Sequence, residues 1–295
     1  MTIYSINDLE KLSGIKAHTL RIWEQRYGII APQRTPTNIR YYTDVQLRRL
    51  LNISLLNKHG YKISRIANMS DNEINSSVAQ ISARDSTIET HIDTLAMAMI
   101  EMDESKFEQI VGASILDIGF EHTMLYVIFP FLDKINLLYL AGSIKPAQEH
   151  FITGLIRQKI IVAIEHIPLR AQDAAPKFLI FLPEGEHQEL SLLYLHFLLK
   201  LHGFYVINIG GNLPLDDVKV AYDLHTPPYV YTLFTEPHKT PIDQRVLAMS
   251  QVFGESQLLL SGYQVLNKPL SPRPNVRILR SLTETTQFLK GLQAV

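Results

Sequence analysis

The stretch from Ser13 to Tyr42 constrains this chain most, because its residues leave little choice of local structure. Ser13-Gly14-Ile15 reads as a tight turn in which Gly14 takes positive φ and Ile15 plugs into a core. From Ala17 to Tyr27 the residues Leu20, Trp23 and Tyr27 recur at spacings of three and four, the inward stripe of a helix. His18, Thr19, Arg21 and Gln25 are left facing outward, and Gly28 stops the helix. Pro32-Gln33-Arg34 then predicts a polar turn, and Arg40-Tyr41-Tyr42 a short extended return. A helix that shows Arg, His and Thr beside a basic hairpin suits a DNA groove and its flanking phosphates.

Three motifs stand in order here: Tyr4-Ser5-Ile6, the run from Thr19 to Tyr27 (TLRIWEQRY), and Arg40-Tyr41-Tyr42-Thr43-Asp44. On these residues the segment Tyr4–Asp44 resembles the N-terminal winged helix-turn-helix of the MerR family of transcriptional regulators. Lys16, His18 and Thr19, at the start of the helix, are the candidates for base edges in a major groove. The resemblance implies that Arg21, Trp23, Arg40 and Tyr41 or Tyr42 hold phosphates or brace the wing, and Arg34 is placed for the adjoining minor groove. It also implies a symmetric homodimer or higher homo-oligomer on a palindromic operator, with RNA polymerase an indirect partner. The competing reading is a three-helix module whose arginines are merely solvated.

The chain has 295 residues, room for one large or two to three ordinary domains. It has no cysteine, which excludes disulfides and thiolate metal sites and suits a reducing cytoplasm. Thr2–Leu9 is polar and does not read as a signal peptide, and no apolar run reaches the length of a membrane span. The net charge of −1 hides an asymmetry: residues 1–75 sum to +5 and the rest to −6. A basic front on an acidic body suits a nucleic-acid module joined to something that does not bind nucleic acid.

Periodicity gives the remaining elements. Ser5 caps a helix over Ile6–Leu12, Thr43 caps one over Val45–Lys58, and a short helix follows over Lys62–Asn68. Arg48 and Arg49 are either further phosphate contacts or part of a solvated face. Residues 75–86 are polar, Ser-rich and without clear period, so the first domain boundary is placed there. Four helices are expected over Ile88–Met102, Glu104–Gly119, Glu121–Leu140 and Pro146–Ile167, and their short connections imply a bundle. After Ala171–Pro176 the pattern changes to strands at Lys177–Leu182, Phe204–Ile209, Tyr229–Phe234, Gln257–Ser261 and Val276–Leu279, alternating with helices. That predicts a doubly wound parallel α/β sheet with ligands at its carboxyl edge. The expected fold class is multidomain: an all-α winged helix-turn-helix over 1–75, a four-helix bundle over 85–170, and a flavodoxin-like sheet over 176–295.

In this order the three parts are similar to the cobalamin-dependent, light-sensing branch of the MerR family. The resemblance implies cobalamin clasped between bundle and sheet. The bundle would supply a Trp and a downstream Glu-His pair. The sheet would supply an axial His from a (D/E)xHxxG loop, with SxL and GG elements around the nucleotide tail. Gly142-Ser143-Ile144 and Glu149-His150 keep part of the bundle pattern, with Tyr139 at the Trp position. In the sheet, Glu186 keeps its place in the loop motif. Gln188 stands where the metal-binding His should be, His187 is one residue early, and Ser191 replaces the Gly. Tyr231 occupies the small hydroxyl position and Ser261-Gly262 the GG position. An amide oxygen is a poor substitute for imidazole toward cobalt. The expectation is therefore a regulator that has lost its cofactor.

Other chemistry is sparse. No HExxH or other two-His helical spacing occurs, so no metal site is expected. Glu186, His187 and Glu189 form either an acid/base group at a strand end or polar residues on a solvated loop. No complete catalytic set is present, and an enzyme is not expected. The C-terminal half remains open between a cofactor-free or small-molecule sensor and oligomerisation unit, and a working cobalamin photoreceptor.

Overall fold

The computed structural model describes residues 3–34, 38–84, 88–140, 144–168 and 175–293, side chains at 3, 79, 80, 82–84 and 137–140 excepted. The chain divides into two compact units, Met1–Leu155 and Ile156–Val295.

The first unit begins with β1 (Ile3–Tyr4), α1 (Ile6–Ser13), α2 (Ala17–Tyr27), β2 (Gln33–Arg34), β3 (Arg40–Thr43) and α3 (Asp44–Lys58). Ser5 opens α1 with a reciprocal cap: its hydroxyl accepts the Asp8 N–H at 3.2 Å, and the Asp8 carboxylate accepts the Ser5 N–H at 2.7 Å. Thr43 and Gln46 repeat the device at α3. Between them α2 has no side-chain cap of its own. Glu10 serves instead, its Oε2 accepting the Ala17 N–H at 2.9 Å. That amide and Lys16 hold Glu10 below the usual carboxylate range. β3 pairs antiparallel with β2 and with β1, setting Tyr4 opposite Tyr42. β1 was not anticipated, since two residues carry no period.

Next come α4 (Ile63–Ile66) and α5 (Asp71–Arg84). The polar segment in which the first domain boundary was placed is thus helical as far as Arg84. Ser70 and Glu73 form a capping box, and Ile74 and Val78, four apart, are buried on one narrow stripe. Asn75 on this helix accepts from Asn52 of α3 at 2.9 Å.

The unit continues through α6 (Ile88–Glu101), α7 (Glu104–Thr123), a π-helical turn (Met124–Ile128), α8 (Phe129–Leu140) and α9 (Pro146–Glu165), whose length crosses the unit boundary. Gly119 takes φ 79° and ψ 163° inside α7, a conformation open essentially to glycine alone, and breaks the helix where the sequence reading ended it. One point differs from expectation: the helical stretch Glu104–Asn136 is long and apolar enough to cross a membrane by length and composition. Gly119 interrupts that stretch, and the piece before it, Glu104 to Ile118, is shorter than the ~20 residues a span needs.

In the second unit β4 (Lys177–Phe181), α10 (Glu189–Leu201), β5 (Tyr205–Asn208), α11 (Leu215–His225), β6 (Tyr229–Leu233), α12 (Ile242–Val252) and β7 (Gln257–Ser261) alternate as expected. A short α13 (Tyr263–Asn267), not foreseen, precedes β8 (Val276–Ile278) and α14 (Leu282–Gln293). The five strands are parallel in the order β5-β4-β6-β7-β8, which places the crossover between β4 and β6. α11 and α12 cover one face over Leu179, Phe181, Val230 and Leu260. α10 and α14 cover the other over Phe178, Ile180, Tyr231 and Leu259.

Candidate functional site

α2 turns Lys16, His18, Arg21 and Gln25 to the surface while Leu20 is fully buried and Trp23 half-buried. Thr19 is half-buried, its hydroxyl 3.3 Å from His18 Nε2. Ile22, which the sequence reading left unassigned, is 52% exposed in the same helix. Glu24 ties the helix to β3. The Tyr42 hydroxyl donates to its Oε2 at 3.1 Å, and Arg40 Nε lies 3.8 Å from its Oε1. Tyr42 is fully buried. Its hydroxyl is turned inward to Glu24. Burial and the Glu24 charge push its phenol up to about 12.

Tyr41 is half-buried. Arg34 is exposed and donates to Asn38 Oδ1 at 2.6 Å within the hairpin. Arg48 is exposed, but Arg49 is not a free cation: its Nε donates to the Ile29 carbonyl at 3.0 Å and its guanidinium pairs with Asp71 of α5.

At the carboxyl edge of the sheet the loop after β4 is pinned to the loop after β6. Glu186, expected on a solvated loop, is buried. Its Oε2 accepts the Thr235 N–H at 2.8 Å, the Thr235 hydroxyl at 2.7 Å and the Glu236 N–H at 3.0 Å. Its Oε1 lies 4.0 Å from Arg245 Nη1. Gln188 Nε2 donates to Glu236 Oε1 at 3.2 Å, so this amide nitrogen is turned to a neighbouring carboxylate. His187 and Ser191 are exposed.

Tyr231 is buried between the sheet and α14. Its hydroxyl lies 2.7 Å from Ser261 Oγ and 3.1 Å from Thr285 Oγ1. Ser261 gives its one proton to the Leu279 carbonyl at 2.8 Å, which makes Tyr231 the donor to Ser261. Burial raises the Tyr231 phenol. Gly262 takes φ 106°, and a Cβ there would stand 2.4 Å from the Phe234 carbonyl oxygen, so this position admits only glycine. In the other unit Glu149 is half-buried and His150 exposed, with 3.5 Å between the carboxylate and Nε2. The Tyr139 side chain and Gly142-Ser143 lie outside the described residues. Among the described residues no group of three or more His, Asp or Glu is arranged to hold a metal ion.

Comparison with known proteins follows the same division. Residues 4–73 match the family model of the MerR HTH family regulatory proteins, and residues 91–163 match that of a B12 binding domain. The chain is 25% identical over 233 residues to the HTH-type transcriptional repressor CarH of Myxococcus xanthus, covering 77% of each chain. It is 24% identical over 222 residues to the repressor CarA of the same organism, covering 71% of this chain and 68% of that one. This is a MerR-family regulator with a B12-binding-like domain. The similar proteins are transcriptional repressors, so the regulator is read as a DNA-binding protein and not as an enzyme. A solved structure of the Methanosarcina barkeri monomethylamine corrinoid protein shares the fold, with a TM-score of 0.53 at 11% identity, over 71% of this chain and 100% of that one.

The sequence brought out the outward face of α2 and the altered positions around Tyr231. It did not reveal Glu10 as the cap of α2, Glu24 as the tie to β3, or the burial of Glu186. Those depend on partners supplied by the folded chain.

Proposed function

We propose that this regulator reads a palindromic operator as a homodimer or higher homo-oligomer, in the cytoplasm, and meets RNA polymerase only through the promoter. A winged helix-turn-helix over 1–75 would do the reading, with α5 adding Ile74 and Val78 to the buried residues. A four-helix bundle over 85–170 and a flavodoxin-like sheet over 176–295 would form a sensor and oligomerisation unit without cobalamin.

The exposed row Lys16, His18, Arg21 and Gln25 on a helix fixed from behind by Leu20 and Glu24 carries the DNA reading. Lys16, His18 and Thr19 would meet base edges. Arg21 and Arg40 would hold phosphates, Trp23 and Tyr41 would brace the wing, and Arg34 would reach the minor groove. Selection from a randomised duplex library should return a palindromic site, and absence of any preference over random duplex would remove this reading. On the selected site Arg21→Ala should weaken binding to every sequence alike and lower the slope of log affinity against log salt by roughly one.

The sheet does not fit a corrinoid. Gln188 offers an amide in place of an imidazole, its nitrogen donating to Glu236, and the Tyr231 ring fills the layer between β6 and α14, beside Ser261 and Thr285. Equilibrium dialysis against cobalamin should leave the protein colourless, whereas stoichiometric retention of corrinoid absorbance would overturn the cofactor-free reading.

A further inference from the structure

We infer that Asp93 is a clamp that fixes the angle at which the DNA-reading head is held against the helices behind it. Asp93 lies on α6, and each of its carboxylate oxygens has a different ammonium partner. Oδ2 accepts from Lys58 Nζ at 2.5 Å, and Oδ1 from Lys134 Nζ at 2.7 Å. Lys58 is the last residue of α3 and Lys134 stands on α8, so one carboxylate joins the head to two of the rear helices. Glu89, one turn earlier on α6, supports Lys58 from 3.4 Å. Burial opposes the charge on Asp93, but Lys134 and Lys58 outweigh it and hold the carboxyl below its usual range. The apolar seam beside it, from Leu12, Leu51 and Leu55 to Ala96 and Met97, supplies attraction without direction. Charge-assisted hydrogen bonds are directional and set geometry.

The position gives the clamp its leverage. α3 leads at its N-terminal end directly into β3, and Ser54 at its middle donates to the Ser13 carbonyl at 2.9 Å, so α3 moves with α1 and the wing. Holding its last residue therefore holds the face carrying α2. In a dimer, fixing both heads fixes the spacing at which two half-sites are engaged together. This last step rests on the DNA reading proposed above.

The chain has no cysteine, so two can be introduced for spin labels at exposed sites, Lys11→Cys on α1 and Asp117→Cys on α7. Electron–electron resonance on the full chain should give one narrow distance. Asp93→Asn and Lys58→Met should each broaden it, while Lys134→Met, which spares the head-side arm, should not, and Asp93→Glu should retain it. On selected DNA, inserting one base pair between half-sites should cost the parent about ten-fold in affinity but Asp93→Asn only about two-fold, with binding to a lone half-site unchanged. A distance distribution in Asp93→Asn and Lys58→Met as narrow as the parent's, or a spacing penalty equal to the parent's, overturns the clamp. The label distances need no DNA. A parent without operator preference would therefore sink the DNA reading while leaving the clamp decided by resonance alone.

Discussion

Glu24 shows how one side chain can tie a helix to a strand. It accepts from Tyr42 and attracts Arg40, and both partners lie on β3, so β3 cannot drift from α2 without separating charge. Tyr42→Phe removes a hydrogen bond to a charged acceptor, a loss of about 2 kcal/mol. The single Trp of the chain, Trp23, sits on α2 and can follow this head in urea. The same phenol gives a pH dependence. Its folded pKa of about 12 stands above its ordinary 10.0, so its stabilisation is constant below pH 10 and is lost as pH rises through 12. The Trp23 midpoint should fall across that window in the parent and lose this component in Tyr42→Phe. The burial of Tyr42 was within reach of the sequence, since strand alternation sends Tyr41 and Tyr42 to opposite faces. The burial of Glu186 was not, because its three donors come from Thr235 and Glu236, 49 and 50 positions away.

Among the elements, α5 separates what composition suggests from what packing decides. Its sequence is polar enough to pass for a linker, yet Ile74 is 1% exposed and the helix meets α3 through Asn75 and Arg49 through Asp71. Ile74→Ala should therefore destabilise the head by about 3 kcal/mol by the Trp23 signal, whereas a side chain in a true connection would cost nothing measurable. Elsewhere the elements announced themselves. The run Lys177–Leu182 read as a strand covered on both faces, and β4 fills all but its last residue; Ser5 and Thr43 are the caps expected, though α3 begins at Asp44 and not at Val45. What escaped was too short for a period, as in β1 and α13, or had only a narrow stripe, as in α5. The axial-ligand loop escaped in a different way: its motif was visible, but the turning of Gln188 toward Glu236 was not.

At the scale of the molecule, a front of net +5 and a remainder of −6 agree with a chain in which one end approaches the duplex and the other is kept off it. The order of parts was legible because helix periodicity and strand runs change character at the right places. The packing between β6 and α14 was not legible in the same way, since sequence gives a tyrosine at position 231 but not what its hydroxyl meets. That hydroxyl has a consequence for descent. A substitution of Tyr231 by a smaller residue would open a void between the sheet and α14 and remove the hydroxyl that lies between Ser261 and Thr285. A lineage that exchanges this ring alone therefore loses stability before it gains room, and keeps the fold intact only if a second change refills the gap.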